Sequence, residues 1–214
     1  PLNRSAAERA WMGAACAWAF ATIVAAGLSF FLARIPVQVS DSLGNLFAVH
    51  DVSFGELLEE QFWSTAYFRP LLLVQTKALL EASGQHPYAV FRGFQIAQVF
   101  AAVWLFVRLL RLRTTADGVA AMIAIAVLAG SHTFAGMVRE AYPINNYLTV
   151  GLCFLVAMNV MIAPRARWYT DLLVLVVFIV ALGTIETGLL VFGAVVVGAM
   201  PGCRGVSRWA LAGA

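Results

Sequence analysis

Long runs of apolar residues constrain this chain more than any other feature of its sequence. The first run covers residues 11–32 and contains no Asp, Glu, Lys or Arg. About 20 consecutive, mostly apolar residues are enough for a helix to cross the hydrocarbon core of a bilayer. The sequence therefore predicts an all-α integral membrane protein with about six transmembrane helices. The predicted spans are residues 11–32, 88–110, 119–138, 147–163, 168–185 and 187–200.

Composition supports this class and excludes several others. Hydrophobic residues make up 62% of the chain and charged residues only 12%, whereas about a quarter of the residues in a soluble domain are charged. The cations are spread between the apolar runs, so we expect no nucleic-acid partner. The cysteines and histidines are scattered without the spacing of metal ligands, and the phosphate-loop and nucleophile-elbow motifs of soluble enzymes are missing.

Positive charge in the loops predicts the orientation, because Lys and Arg resist translocation across the membrane. Loops on one side carry nine arginines and three carboxylates, and loops on the other carry five cations and eight carboxylates. We place the arginine-rich side in the cytoplasm and, from the short loops and Lys-poor composition, the protein in a bacterial inner membrane. The predicted order is a cytoplasmic N-terminus (1–10), a first transmembrane helix (11–34), a periplasmic loop (35–87), a five-helix transmembrane region (88–201) and a cytoplasmic tail or the start of a further span (202–214).

The periplasmic loop is predicted to contain two helices that do not cross the membrane. Ser53 and Glu56 fit a capping box, in which each side chain accepts a hydrogen bond from the other residue's backbone N–H. Apolar residues recur at helical spacing over 53–63 opposite acidic ones, which is typical of a helix lying flat on the membrane surface. Pro70 can open a second helix over 70–82, which is about 20 Å long and too short to cross alone.

Ionisable residues at the predicted outer ends of the spans are the candidates for chemistry. Asp41 follows the first span closely, where a carboxylate can take a proton from a hydroxyl or bind a metal ion. Arg69 can bind a phosphate in the fork geometry of a guanidinium. Glu186 interrupts two apolar runs, so it needs a cationic partner. The remaining candidates are Arg92, Arg139, Glu140 and Lys77.

Each candidate also has a purely structural interpretation. A loop carboxylate is commonly just solvated, and Arg69 can anchor a surface helix by placing its charge at the lipid boundary. Glu186 can form a structural ion pair with one of the three arginines. The residues alone leave both interpretations open.

Four short patterns follow one another along the chain. An acidic residue comes early in the outer loop, and an aromatic-Arg-Pro-Leu element later closes that loop. A histidine then lies near the end of a span with a glutamate after it, and a last acidic residue stands between two apolar runs. These stretches are VSDSL at 39–43, YFRPL at 67–71 with a Gly-to-Pro break at 84–87, SHT at 131–133 with Glu140, and IETGLL at 185–190.

This order resembles the N-terminal module of GT-C-type membrane glycosyltransferases, the superfamily of the protein O-mannosyltransferases. The resemblance implies sugar transfer from a polyprenyl-phosphate donor to an acceptor at the outer face. Asp41 would be the general base, or would bind a divalent metal ion as in the members that use one. Arg69, assisted by Arg92 or Arg139, would stabilise charge on the departing lipid phosphate. Supporting roles would fall to Glu140, Glu186 and Lys77.

Two other classes compete with this interpretation. One is a non-catalytic integral subunit of a larger membrane complex. Departures from the family's patterns favour it, such as Thr133 at a position where proline is frequent in the family. It is also favoured because the chain resembles only the N-terminal module of these enzymes, and we expect the chain to be part of a longer protein. The other is a small transporter, which lacks support because no inverted repeat or midplane pair of broken helices is evident.

Overall fold

The computed structural model describes residues 4–35, 41–63, 68–139, 146–199 and 205–207. Every regular element in these ranges is helical, as the apolar runs predict. In chain order they are α1 (Arg4–Leu32), α2 (Asp41–His50), α3 (Phe54–Trp63), α4 (Pro70–Ser83), α5 (Pro87–Leu109), α6 (Thr115–Gly130), α7 (His132–Arg139), α8 (Asn146–Met161), α9 (Trp168–Thr184), a 3-10 helix (Glu186–Gly188) and α10 (Leu189–Ala199).

Helices α1 and α6 lie side by side and approach closely through their backbones. A Cβ atom added to Gly118 would lie 2.5 Å from the carbonyl oxygen of Gly13. Near the same end, Thr115 Oγ1 donates a hydrogen bond to the carbonyl of Arg9 at 3.1 Å, so the two helices are parallel. Small residues let helices pack this closely in a membrane, where van der Waals contact drives association. The buried small residues of α1 are Gly13, Ala17, Ala21, Ala25 and Ser29.

Helix α5 packs between α1 and α8, and polar side chains join α5 to α8 at two levels. Gln98 Nε2 donates to Thr149 Oγ1 at 2.9 Å, and Asn159 Nδ2 donates to the carbonyl of Leu105 at 3.0 Å. Gln98 precedes Leu105 in α5, and their partners Thr149 and Asn159 follow the same order in α8, so the two helices are parallel. Helix α8 in turn contacts α9 and α10.

The predicted span over 119–138 is not one straight helix. It is divided between α6 and α7, whose axes meet at 59°. Ser131 lies at the break in an extended conformation, and its Oγ accepts a hydrogen bond from the Phe134 N–H while donating to the carbonyl of Leu128. A serine in this position caps the N-terminus of α7 and thereby ends α6.

Two helical segments are long and apolar enough to cross a membrane, residues 8–32 and 87–109, and the bent α6–α7 pair brings the number to three at most. The sequence predicts six. The three predicted spans that fall short in length are α8, α9 and α10, which are apolar but contain 16, 17 and 11 residues. At 1.5 Å per residue, a helix of fewer than about 20 residues is shorter than the hydrocarbon core.

Large apolar side chains are exposed along several helices. On α1, Trp11 and Phe31 are 73% and 68% exposed, and on α10 Leu190 is 69% exposed. Val127 on α6 and Ile179 on α9 are also more than half exposed. Soluble monomers rarely present contiguous apolar surface of this extent. The fold is therefore compatible with a membrane protein.

Helices α2, α3 and α4 form an outer group in which α2 and α3 pack on α4, and α4 packs on α5 and α9. The predicted capping box is confirmed, since the Ser53 N–H donates to Glu56 Oε2 at 2.7 Å and the Glu56 N–H donates to Ser53 Oγ at 3.3 Å. The helices predicted over 53–63 and 70–82 are confirmed as α3 and α4. Helix α2 is an additional element, which the sequence analysis does not predict.

Candidate functional site

Contacts between helix ends divide the described charges into two sets. At one end, Arg111 donates a hydrogen bond to the carbonyl of Ile162, which joins the C-termini of α5 and α8. The short connections to α6 and α9 place their N-termini there too. This end, here called the basic end, contains more arginines than carboxylates. Its charged residues within the described ranges are Arg4, Glu8, Arg9, Arg108, Arg111, Arg113, Asp117, Arg165, Arg167 and Asp171.

The opposite end of the bundle contains the outer helices and more carboxylates than cations. Tyr88 OH donates to the carbonyl of Ala33 at 2.9 Å, which joins the start of α5 to the end of α1. We call it the acidic end. Its charged residues within the described ranges are Arg34, Asp41, Asp51, Glu56, Glu59, Glu60, Arg69, Lys77, Glu81, Arg92, Arg139 and Glu186.

Arg69 and Glu186 form a two-bond ion pair at the acidic end. Arg69 Nε donates to Glu186 Oε1 and Arg69 Nη2 to Glu186 Oε2, each at 2.9 Å. This is the fork geometry in which a guanidinium binds a carboxylate or phosphate most specifically. The sequence predicts that Glu186 needs an arginine partner, and the structure pairs it with Arg69. The pair joins the start of α4 to the turn between α9 and α10.

The electrostatics of the pair follow from these hydrogen bonds. The hydrogen bonds from Arg69 stabilise the ionised carboxylate and hold the pKa of Glu186 below its ordinary value, against the opposing effect of partial desolvation. The Arg69 side chain is 29% exposed and that of Glu186 is 49% exposed. The pair is therefore charged at neutral pH and accessible from outside the bundle.

Two glutamines hold the Arg69 segment in place. The backbone N–H of Arg69 donates to Gln61 Oε1 at 3.0 Å, which joins the segment to α3. Gln75 Nε2, in the second turn of α4, donates to Thr184 Oγ1 at 3.2 Å, which joins α4 to the end of α9. Gly183, beside that threonine, leaves space for the side chain of Leu71. These contacts keep Arg69 next to Glu186.

Lys77 joins the three outer helices. Its side chain is largely buried, and its Nζ lies 2.8 Å from Glu81 Oε1 and 3.4 Å from the carbonyl of Val49 at the end of α2. The same Nζ lies 5.4 Å from the ring centroid of Phe54 on α3, a favourable position for a cation. Lys77 thus organises the outer group, and the supporting role at the donor site that the resemblance implies stays a prediction.

Arg92 is buried in the first turns of α5. Its Nη2 donates to the carbonyl of Ile35 at 2.6 Å and its Nη1 to Gln95 Oε1 at 2.9 Å, and its guanidinium lies 5.4 Å from the ring centroid of Tyr88. These contacts connect the chain after α1 to α5. They give Arg92 a structural role at the α1–α5 junction, and the part in phosphate binding that the resemblance implies stays a prediction.

The other predicted site residues are described only in part. Arg139 is the last residue of α7 and is exposed. Glu140 lies outside the described residues. Asp41 is the first residue of α2, which packs on α4, but its side chain also lies outside the described part of the chain. The proximity of Asp41 to Arg69 therefore stays a prediction.

Within the described ranges, no three His, Cys, Asp or Glu side chains lie close enough to hold a metal ion. Three side-chain amides make polar contacts inside the bundle that were not predicted from the sequence, those of Gln75, Gln98 and Asn159. The available signal was a side-chain amide in an otherwise apolar helix, because a buried amide needs a partner.

The fold and this site define a helical protein with candidate membrane spans and a carboxylate-oriented arginine at one end. Comparison with protein-family models, curated proteins and solved structures finds no match.

Proposed function

We propose that this chain is an integral membrane protein in which the shorter helices α8, α9 and α10 are also embedded, giving six membrane segments. Two observations support the proposal. Exposed apolar residues continue along α9 and α10, and the described charges collect at the two ends of the bundle. Short helices are tolerated because neighbouring helices and local thinning of the bilayer compensate for mismatch.

We place the basic end in the cytoplasm and the acidic end outside, in a bacterial inner membrane. The support is the excess of arginine at the basic end, since positively charged short loops stay on the cytoplasmic side. In this orientation α2, α3 and α4 lie on the periplasmic surface, with α3 parallel to the membrane.

At the outer face we propose transfer of a sugar from a polyprenyl-phosphate donor, as the resemblance to GT-C-type glycosyltransferases implies. The observation that carries this proposal is the fork-shaped pairing of Arg69 with Glu186. A guanidinium held in a fixed direction by a carboxylate is ready to stabilise an oxyanion without reorganising. The pair lies beside the outer helix group, where a donor confined to the bilayer would present its phosphate.

In the proposed reaction, the acceptor hydroxyl oxygen bonds to the anomeric carbon while the bond from that carbon to the phosphate oxygen breaks. Asp41 takes the hydroxyl proton, and the lipid phosphate leaves with the bonding electrons. Arg69 stabilises that phosphate, with Arg139 as the second cation. Glu186 positions Arg69, and Lys77 keeps the outer helices assembled around it.

The first experiment measures binding of a long-chain polyprenyl phosphate to the full chain in lipid nanodiscs. Arg69→Gln should weaken binding about tenfold or more, because hydrogen bonds to charged groups contribute about 1.5–3 kcal/mol. The matched control is Arg34→Gln, which removes an exposed cation of the acidic end that stacks on Phe30 at 3.9 Å. Equal losses in both variants, or equal affinity for the neutral polyprenol, would show non-specific attraction and contradict the proposal.

The second experiment separates catalysis from binding. Asp41→Asn should bind polyprenyl phosphate normally. Unlike the wild type, it should not release polyprenyl phosphate from polyprenyl-phosphomannose or polyprenyl-phosphoglucose by transfer of the sugar to an added hydroxyl acceptor or to water. Unchanged release by this variant would remove Asp41 from the mechanism.

A non-catalytic subunit is the second candidate, and the bonding of Arg92 favours it. One of the three arginines that the resemblance assigns to the donor phosphate is bound to Ile35 and Gln95 inside the bundle. If the chain is a subunit, the wild type and Asp41→Asn should copurify with the complex equally well. Neither protein should then bind polyprenyl phosphate.

A further inference from the structure

Exposed arginines gather at the basic end, on the connection between α5 and α6 and on the one between α8 and α9. Residues 108–116 and 162–170 together contain five arginines and no carboxylate. Within the described ranges, no ion pair joins any of the five to a carboxylate. We call these exposed residues the arginine surface, and they are Arg108, Arg111, Arg113, Arg165 and Arg167.

Hydrogen bonds bring the two connections together. Arg111 Nη2 donates to the carbonyl of Ile162, and deeper in the bundle Asn159 Nδ2 donates to the carbonyl of Leu105 at 3.0 Å. Arg165 follows Ile162 closely in the chain. Their Cα atoms lie within about 11 Å of each other, because a chain spans at most about 3.6 Å per residue. The arginines of the two connections therefore form one continuous surface.

Two of the five guanidinium groups are held in place by the protein. Arg111 has a φ of 47°, in the left-handed region that residues other than glycine rarely adopt, and its side chain is bound to the Ile162 carbonyl. Arg167 Nη1 donates to Tyr169 OH at 2.6 Å, and its guanidinium lies 5.6 Å from the centroid of that ring. A guanidinium that is already oriented loses less entropy when it binds a phosphate.

The carboxylates that follow the two connections are already used by backbone groups. Asp117 Oδ2 accepts from the N–H of Arg113 at 3.0 Å and from the N–H of Thr114 at 2.8 Å. Asp171 Oδ1 accepts from the N–H of Ser207 at 2.8 Å. Even with both carboxylates counted, five arginines face two negative charges. The surface therefore attracts anions.

An exposed apolar stripe on α9 begins next to the arginine surface. Trp168, Leu172, Val176 and Ile179 recur at helical spacing on one face of α9, and all four are exposed. The stripe is about 16 Å long at 1.5 Å per residue, close to half of the roughly 30 Å hydrocarbon core. Tryptophan is enriched at the level of the lipid headgroups. Positive charge above an apolar stripe of this length matches a phosphate headgroup with its acyl chains below.

We propose that the arginine surface binds the phosphate of an anionic phospholipid, with an acyl chain against the α9 stripe. A zwitterionic lipid is disfavoured, because the cation of its headgroup opposes the attraction of its phosphate. A soluble phosphate is disfavoured, because it would leave the adjoining stripe unused. Basic surfaces at the cytoplasmic ends of membrane helices suit anionic headgroups in the same way. The proposal rests on the proposed embedding of α9 and does not depend on glycosyl transfer.

The test uses the full chain in phosphatidylcholine proteoliposomes with a trace of phosphatidylglycerol that carries a diazirine in its acyl chain. On photolysis this lipid should label peptides of α9 more strongly than a phosphatidylcholine with the same diazirine. Arg165→Gln should reduce the labelling about fivefold, the effect of one cation near a charged headgroup. The matched control is Arg34→Gln, which removes an exposed cation of the acidic end and should label normally.

Arg108→Gln tests whether the two connections act as one site. It should reduce the labelling as Arg165→Gln does, and the double variant should fall below either single variant. No hydrogen bond or ion pair joins either side chain to the described part of the chain. Both variants should therefore unfold at the same temperature as the wild type. Loss of labelling with Arg165→Gln alone would overturn the proposal of one shared site.

Three further outcomes would overturn the proposal. Equal labelling of α9 by the two lipids would show that the surface does not select an anion. An equal loss in Arg34→Gln would show attraction by net charge alone. Suppression of the labelling by inorganic phosphate, without the same effect from chloride at equal ionic strength, would identify a site for a soluble anion.

Failure of this proposal can be distinguished from failure of the proposals on which the function rests. If both lipids label α9 equally, the embedding of α9 stands and the selection of lipid is wrong. If neither lipid labels α9, its embedding is wrong and the lipid site falls with it. Arg69→Gln should keep the labelling by phosphatidylglycerol, and Arg165→Gln should keep the binding of polyprenyl phosphate.

Discussion

Arg69 and Glu186 are 117 residues apart in the chain, and two parallel hydrogen bonds of 2.9 Å join them. The contact fastens the outer helix group to the turn between α9 and α10. Without it, α4 would be attached to the α9 end through the side-chain pair of Gln75 and Thr184 and the packing of Leu71. The ion pair is therefore both the candidate site and a tertiary contact that holds α4 next to the end of α9.

The first prediction concerns the coupling between these two residues. In a double-mutant cycle with Arg69→Gln and Glu186→Gln, we expect a coupling free energy of about 0.5–1 kcal/mol, because both side chains are partly exposed and solvent screens them. Thermal unfolding in detergent measures it. Arg69→Lys should lose most of the coupling, since an ammonium cannot form both bonds. Strictly additive effects of the two glutamine variants would show that the pair contributes nothing.

The second prediction concerns pH. The pKa of Glu186 is lower in the folded protein than its ordinary value of 4.5, so the unfolded state binds the proton more readily. The contribution of the pair to stability is therefore complete above the unfolded pKa and is lost as the pH falls through the folded pKa. The wild type should lose stability in this acidic range more steeply than Glu186→Gln. Parallel curves for the two proteins would contradict the assignment.

The third prediction concerns the contact between α1 and α6. Gly118→Ala should destabilise the protein by about 1–3 kcal/mol, because the new methyl group meets the backbone of Gly13 and cannot be accommodated without moving a helix. Gly27→Ala is the matched change on α1, where nothing lies within 4 Å of the added Cβ. It should be neutral or stabilising by about 0.4–1 kcal/mol. Thermal unfolding should therefore place Gly118→Ala below the wild type in stability and Gly27→Ala level with the wild type or above it.

The fourth prediction concerns orientation. In a chain without native cysteines, Glu60→Cys on α3 should react with a membrane-impermeant maleimide in intact cells. Arg113→Cys, in the connection between α5 and α6, should react only after the membrane is opened. Both residues are exposed, so access alone decides the result. Labelling of both positions from the same side would reject the proposed topology.

The sequence predicted the helical class and the local features well, because these depend on neighbouring residues. The capping box of Ser53 and Glu56 and the start of α4 at Pro70 follow from backbone hydrogen bonding and the fixed proline φ. The need of Glu186 for a cation followed from the cost of placing a carboxylate between two apolar runs. The break at Ser131 was missed, since a serine after a glycine is a weak helix stop when apolar residues continue on both sides.

The sequence by itself determined that this chain forms apolar helices with its charges collected at their ends, because hydrophobic run length and charge position are properties of short segments. Only the tertiary structure decided which arginine pairs with Glu186 and that Arg92 bonds to Ile35 and Gln95 inside the bundle. Those outcomes depend on how distant segments approach each other, and local composition does not specify such distances.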